Sequence, residues 1–288
     1  MQAFIGIDGG GTGSRAQAEL ESGARTQIVT GGAANVASDP RAALAEITRL
    51  LARVHAEAKE LGAVGRVTIV MGLAGVVESG AEEMLRRALA LADLKIMGDV
   101  DIALAGAFMG DDGIVVTVGT GSVVAGARDG QVRRLGGYGL TLGDEGSGAW
   151  IGREALRRAL RARDGLTPDG ALPQALWQRF GSLAEVIGFA STARPADFAS
   201  LAPLVLEQDR AHCPVAGAIL DQGCAWLRAA ITRLQAGDAE MPVAPLGGLG
   251  PALLERMARQ GDVFRLVMPK GSALDGAIWR ARHLRGGA

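Results

Sequence analysis

The sequence predicts an α/β protein in which one anion-cradling β-hairpin occurs twice, and three observations carry that expectation. The first is the stretch Phe4-Ile5-Gly6-Ile7-Asp8-Gly9-Gly10-Gly11-Thr12-Gly13-Ser14, an apolar strand running into a glycine turn. Three successive glycines remove every Cβ from the bend, so backbone N–H groups can converge on an anion while Asp8 holds a cation beside it. The second is Ser14 to Leu20, where small or apolar residues alternate with polar ones. That pattern reads as a returning strand, not the helix that a Walker or Rossmann loop opens. The third is the recurrence of Gly11-Thr12-Gly13-Ser14 as Gly119-Thr120-Gly121-Ser122, again between an apolar strand (114–118) and a short one (123–127). A duplicated domain holding a phosphate chain between its copies is the economical explanation, set against chance repetition in a chain with 43 glycines.

The bulk composition fits this expectation. A chain of 288 residues is long enough for two domains, each with its own core. With 48% hydrophobic and 21% charged residues it reads as globular, and 4% aromatic residues leave little for stacking on bases. A net charge of −1 gives no electrostatic reason to expect nucleic acid or an anionic membrane as partner. Cys213 and Cys224 match no metal spacing and are too few for a disulfide framework, so a reducing cytoplasm is the expected location. Asp8 and the glycines interrupt any signal-peptide core, and no apolar run approaches membrane-spanning length.

In chain order, Asn35 lies in a loop of small residues, as a turn former or as a ligand-reading amide at a cleft edge. Asp39-Pro40 opens a helix with an apolar stripe at Leu44, Ile47, Leu51, Val54, Ala58 and Leu61. A strand at 67–71, a helix at 82–92 and a strand at 95–97 alternate as a parallel crossover requires. Asp99 follows that last strand, where an α/β sheet presents carboxylates to a ligand crevice; capping the next helix is its competing role. Asp101 would decorate the first helical turn.

Beyond the second hairpin, Gly136-Gly137-Tyr138-Gly139 and Gly143-Asp144-Glu145-Gly146-Ser147-Gly148 precede a helix over 149–163. An acidic pair set among glycines is exposed and able to accept hydrogen bonds from hydroxyls, while Asp144 or Ser147 could instead cap the helix. Residues 165 to 240 are expected to be helical, over 172–180, 182–189, 198–206 and 213–234. The turn at Gly247-Gly248-Leu249-Gly250 carries no Asp, Ser or Thr, which suits close approach of backbone to a flat ring such as adenine. A last strand over 263–268 and a helix to His283 complete the expected order.

In order and spacing, Asp8-Gly9-Gly10-Gly11-Thr12, Asp99, Gly119-Thr120-Gly121-Ser122, the Asp144-Glu145 loop and Gly247-Gly248-Leu249-Gly250 resemble the phosphate, connecting, sugar and adenosine elements of sugar kinases. The superfamily is that of actin, hexokinase and the heat-shock chaperone ATPases. More narrowly the chain resembles the BadF/BadG/BcrA/BcrD-type group that contains N-acetylglucosamine kinase and the short bacterial glucosamine kinases. The resemblance implies duplicated ribonuclease-H-like domains, 1–112 and 113–288, the second with a helical insertion at about 165–212, closing on ATP, Mg²⁺ and a hexose. It implies Asp8 as a water-mediated Mg²⁺ ligand, Gly10, Gly11, Thr12, Gly119, Thr120 and Gly121 around the phosphates, and Gly247, Gly248 and Gly250 beside the adenosine. Asp99 would be the general base for the sugar 6-hydroxyl, and Asn35 and Asp144 would hold ring hydroxyls.

Two departures stand out. Gly13 occupies a position where relatives often carry Lys, and Tyr138 one where N-acetylglucosamine kinases often carry Trp, on the acetamide side of the sugar. The implied activity is ATP-dependent phosphorylation of glucosamine or N-acetylglucosamine, by a protein that could form a homodimer, with the compact length favouring the glucosamine type. Phosphoryl transfer needs amides, one metal and one base, which suits a chain whose three histidines sit in no recognisable site. The alternative is a BadF-type ATPase driving a partner redox enzyme, which would need cysteines for an interfacial iron–sulfur cluster. A non-catalytic sugar- or nucleotide-binding member of the fold is the third possibility.

Overall fold

The computed structural model describes residues 1–284. By internal contacts they form two compact units: Met1–Gly113 with 127–132 and the residues from Met268 on, and Ile114–Gly126 with Arg133–Val267.

In the first unit, β1 (Ala3–Gly9) pairs antiparallel with β2 (Ser14–Leu20), and β2 pairs with β3 (Val29–Gly31). The glycine turn therefore closes a hairpin, as the alternating pattern of Ser14 to Leu20 requires. Next come α1 (Pro40–Glu60), β4 (Val67–Leu73), the short α2 (Val76–Ser79), α3 (Glu82–Leu89), β5 (Leu94–Gly98) and α4 (Asp99–Phe108). β4 and β5 join parallel to β1, giving the order β3-β2-β1-β4-β5 of a ribonuclease-H-like sheet. α1 starts on Asp39, whose carboxylate accepts from Arg41 N and Ala42 N, and buries Ala43, Ile47, Leu50, Val54 and Ala58 against the sheet. The buried face is rotated from the expected stripe: Ala43 and Leu50 go inward, and Leu44 and Leu51 lie at its edge.

The second unit holds β6 (Gly113–Val118), β7 (Ser122–Arg128) and β8 (Gln131–Gly136), then α5 (Gly148–Arg163), α6 (Ala171–Phe180), α7 (Leu183–Thr192), α8 (Pro195–Ala199), α9 (Ala202–Arg210) and α10 (Pro214–Gln235). β9 (Val243–Leu246) and α11 (Gly250–Arg259) follow, and β9 runs parallel to β6 in the order β8-β7-β6-β9. One helix expected over 198–206 is two, because Pro203 removes a backbone donor and starts α9. The strand expected over 263–268 is a single bridge between Leu266 and Val243; Val263 and Met268 face solvent and have no sheet face to cover.

The last helix, α12 (Ala273–His283), packs on α4, β1 and β4 of the first unit. Glycine makes that crossing possible. A Cβ on Gly276 would fall inside the van der Waals shells of Ile102 O and Gly106 N, and a Cβ on Gly6 would lie 2.8 Å from Ile278 Cγ1. A buried carboxylate fixes the rim: Glu19 pairs with Arg25 Nε at 2.8 Å and with Arg282, and Arg25 also reaches Asp275 at 2.7 Å. Gly276→Ala is expected to lower the unfolding free energy by about 1–3 kcal/mol, because α4 and α12 cannot separate without opening this layer. Urea titration followed by circular dichroism checks it, and an unchanged midpoint would contradict the close crossing.

Candidate active site

Each glycine hairpin is tied to its scaffold through carbonyl oxygens. In the first unit, Gly9 O accepts from Ala74 N at 2.8 Å and Gly10 O from Ala34 N at 2.9 Å, while Gly10 N closes the turn on Gly13 O at 2.9 Å. In a trans peptide the N–H points opposite to the C=O, so the Gly11 amide faces away from Ala34, and Gly11 and Thr12 are exposed. Residue size explains the first glycine of the run, since a Cβ on Gly9 would lie 2.6 Å from Leu73 Cδ2.

Asp8 is the next-to-last residue of β1, and its carboxylate is largely covered. Its register partner across the hairpin is Arg15, whose Nη2 sits 2.6 Å from Asp8 Oδ2. The turn-forming role of Asn35 is real: its Oδ1 accepts from Ala37 N at 2.9 Å and from Ser38 N at 3.1 Å. The other end of the same amide is turned toward the glycine hairpin, with Nδ2 3.9 Å from where a Gly11 Cβ would lie.

Asp99 is the first residue of α4, at the C-terminal edge of β5. Capping falls to its neighbour, because Asp101 reaches back to accept from Gly98 N at 3.1 Å. Asp101 therefore does more than the dipole decoration expected of it, while Asp99 Oδ1 accepts from Val100 N at 2.9 Å. Across β4, Asp8 registers through Gly72 with Met97 of β5, two residues before Asp99.

The second hairpin repeats the carbonyl arrangement on a helix. Gly119 O accepts from Gly148 N at 2.8 Å and Thr120 O from Ala149 N at 3.2 Å, both at the start of α5. The Thr120 and Gly121 amides therefore point away from that helix. Ser122 Oγ donates to Glu145 O at 2.9 Å, and Ser122 O accepts from Gly137 N at 3.0 Å, so one serine fastens the hairpin to both ends of the glycine-rich loop.

Within that loop Asp144 is buried, in the left-handed region at φ 60°. Its carboxylate accepts backbone N–H bonds from Ser122 and Gly139, and its Oδ2 lies 3.0 Å from the position of a Gly121 Cβ. It does not cap α5; Ser147 Oγ does, accepting from Trp150 N at 3.1 Å. Burial raises the Asp144 pKa above the ordinary carboxylate value, against the opposing pull of the two amides. Tyr138 is mostly exposed and covers Gly143, and Arg153 of α5 holds the loop by donating to Leu140 O.

Gly247 and Gly250 have packing reasons of their own. Gly247 has φ 75° and lies against Val118, and a Cβ on Gly250 would lie 3.0 Å from Val116 O; around Gly248 there is open space. Both cysteines are buried free thiols, and burial pushes Cys224 up to about 11, where it is inert. Among the described residues no group of three or more His, Cys, Asp or Glu is placed to hold a metal, and no helix is long and apolar enough to cross a membrane.

The family model of the BadF/BadG/BcrA/BcrD ATPases matches residues 5–250. The chain belongs to that family. It is 25% identical to the glucosamine kinase of Vibrio cholerae, over 96% of this chain and 95% of that one. It is 32% identical to the N-acetyl-D-glucosamine kinase of Dictyostelium discoideum, over 76% and 75%. Among solved structures, a candidate N-acetylglucosamine kinase from Chromobacterium violaceum superposes with a TM-score of 0.83 at 32% identity, covering 98% of this chain and 99% of that one. The fold of this BadF-type chain is the actin-like one, with two sheets in the α/β class.

Sequence reasoning missed Arg15, Ser122 and Arg153 as site-forming residues. Arg15 had a signal: in a hairpin where Gly9 faces Ser14, position 15 must face Asp8.

The raised Asp144 pKa has a measurable sign. The folded protein holds this proton more tightly than the unfolded chain, so the group's contribution to stability falls as pH rises from the ordinary value of 3.8 through the raised one. Urea midpoints taken across the acidic range should show wild type losing stability relative to Asp144→Ala as pH increases. Parallel curves would mean the carboxyl titrates normally.

Proposed function

We propose that this chain is an ATP-dependent kinase that phosphorylates the 6-hydroxyl of an amino sugar, glucosamine or N-acetylglucosamine. The observation that carries the proposal lies in the first unit. Two carboxylates stand at the C-terminal edges of parallel strands, Asp8 in β1 just before an exposed glycine hairpin and Asp99 just after β5, and the Asn35 amide is turned to that hairpin. Strand ends of this kind are where α/β sheets place ligands. The named relatives add the substrate class.

In this reading each hairpin offers its free amides to the phosphates of ATP, Gly11 and Thr12 in the first and Thr120 and Gly121 in the second. The Gly10 and Gly119 N–H groups close their turns on Gly13 O and Gly121 O and line the phosphates without donating. Fixed amide dipoles stabilise charge on a transferring phosphoryl group with little reorganisation. Gly247, Gly248 and Gly250 lie beside the adenosine, and the open space around Gly248 suits that role best. Asp99 accepts the proton of the 6-hydroxyl as that oxygen attacks the γ-phosphorus; the bond to the ADP oxygen breaks, leaving a sugar 6-phosphate and ADP. Asn35 and Asp144 hold ring hydroxyls, and Tyr138 forms a wall of the sugar pocket. Asp144 can brace the loop and bind sugar together, because a carboxylate accepts about four hydrogen bonds and two come from backbone.

Mg²⁺ fits Asp8. It is bound through one or two carboxylates and phosphate oxygens while keeping several waters, and Asp8 is one carboxylate that already attracts a cation. When bound, the metal would neutralise phosphate charge. The redox-partner alternative gains nothing from Cys213 and Cys224, which are buried in the second unit.

ADP release coupled to a spectrophotometric readout, with glucosamine, N-acetylglucosamine, glucose, N-acetylmannosamine or no sugar, tests the proposal. Mg²⁺-dependent release with an amino sugar is expected, and equal release without sugar would overturn it. Asp99→Ala should retain ATP binding and lose a factor of roughly 10²–10⁴ in kcat, the usual worth of a general base. Near-normal turnover would remove Asp99 from that role. Asp144→Ala should raise the sugar KM roughly 10- to 100-fold, the effect of losing a charge-assisted hydrogen bond, and unchanged kinetics would leave the residue a loop brace alone.

A further inference from the structure

We propose that Arg15 is a phosphate-binding residue, held on Asp8 until nucleotide arrives. The inference rests on the kinase reading and extends it to a residue that reading does not use.

Positive charge is scarce at both hairpins. In the first hairpin, Ala3 to Leu20, Arg15 is the only lysine or arginine, and in the second the one such residue, Arg128, ends β7 at the far end from the glycine turn. The first hairpin otherwise offers amides and Thr12, whereas a nucleoside triphosphate remains anionic after one divalent cation is bound. Arg15 is the charge the chain itself places there.

Its position suits the task. Arg15 faces Asp8 directly across the β1–β2 hairpin, one residue pair behind the Gly10–Gly13 turn. Asp8 holds its Nη2 at 2.6 Å, but the arginine side chain is 49% exposed while Asp8 is 16% exposed. The carboxylate is set in the protein and the guanidinium is anchored mainly by that one ion pair. An exposed pair of this kind is weak, about 0–1 kcal/mol, so exchanging partners is not costly.

A metal that takes Asp8 places a second cation beside Arg15. The guanidinium then gains by turning toward the phosphate oxygens next to the metal, where its planar fork can donate twice. Asp8 thus presents Arg15 in the empty protein and releases it to the phosphate chain in the complex.

Isothermal titration calorimetry of Mg-ATP, Mg-ADP and adenosine binding to wild type, Arg15→Lys and Arg15→Gln tests this. Arg15→Gln should bind Mg-ATP about tenfold more weakly or worse, as expected for losing a charge-assisted hydrogen bond. Adenosine affinity should stay within about twofold of wild type, which also shows that the variant is folded, and Arg15→Lys should fall between the two. Unchanged or tighter Mg-ATP binding by Arg15→Gln would overturn the proposal. That is the result expected if Arg15 only neutralises Asp8, since its removal would leave the carboxylate fully available to metal. Binding is read without sugar, so failure of sugar phosphorylation would count against the kinase reading, whereas the role of Arg15 is decided by the titration.

Discussion

The candidate site depends on where four carbonyl oxygens go. Gly9 O and Gly10 O are taken by Ala74 N and Ala34 N, and Gly119 O and Thr120 O by the first amides of α5. Each bond fixes a peptide plane, and each plane carries an N–H on its other side. Amides so fixed can receive an anion without reorganising, which is the source of their electrostatic strength. The glycines matter less as flexible residues than as residues without side chains, letting Ala34, Leu73 and Asp144 come close enough to hold the turns.

This constraint also explains what else the chain must supply. A turn held by its carbonyls needs a rigid neighbour, and the two units use different ones. The first uses the loops after β3 and β4, joined again where Val36 N donates to Ala74 O. The second uses the N-terminus of α5, set by the Ser147 cap and by Ser122 bonding into the glycine-rich loop. Duplication of the hairpin therefore did not carry duplication of its support.

The hairpins and the strand-end carboxylates were legible because each rests on local chemistry: chain direction, residue size and alternation. The acidic pair was located but expected to be exposed, and Asp144 is instead buried against the second hairpin. What was not legible depends on partners distant in sequence. The place of α12 follows from Gly276 meeting Ile102 and from Arg282 meeting Glu19, and neither helical periodicity nor capping encodes such a partner. β8 was missed because Gln131 to Gly136 buries no face and so has no alternating pattern to read. The competing capping role of Asp99 was left open because both Asp99 and Asp101 satisfy the sequence rule, and the first-turn geometry gives the cap to Asp101.

Asp144 shows how structural and binding roles can reinforce one another. Burial alone makes its ionised form costly, and the Ser122 and Gly139 amides offset only part of that cost. A sugar hydroxyl donating to the same carboxylate would favour the ionised form further and so lower the raised pKa. Ionisation in turn strengthens the two backbone bonds that hold the second hairpin to the loop. If Asp144 binds sugar as proposed, sugar binding and the bracing of the Thr120 and Gly121 amides are coupled through one side chain. An enzyme that must not spend ATP on water has reason to make such a hairpin firmest when the sugar is present.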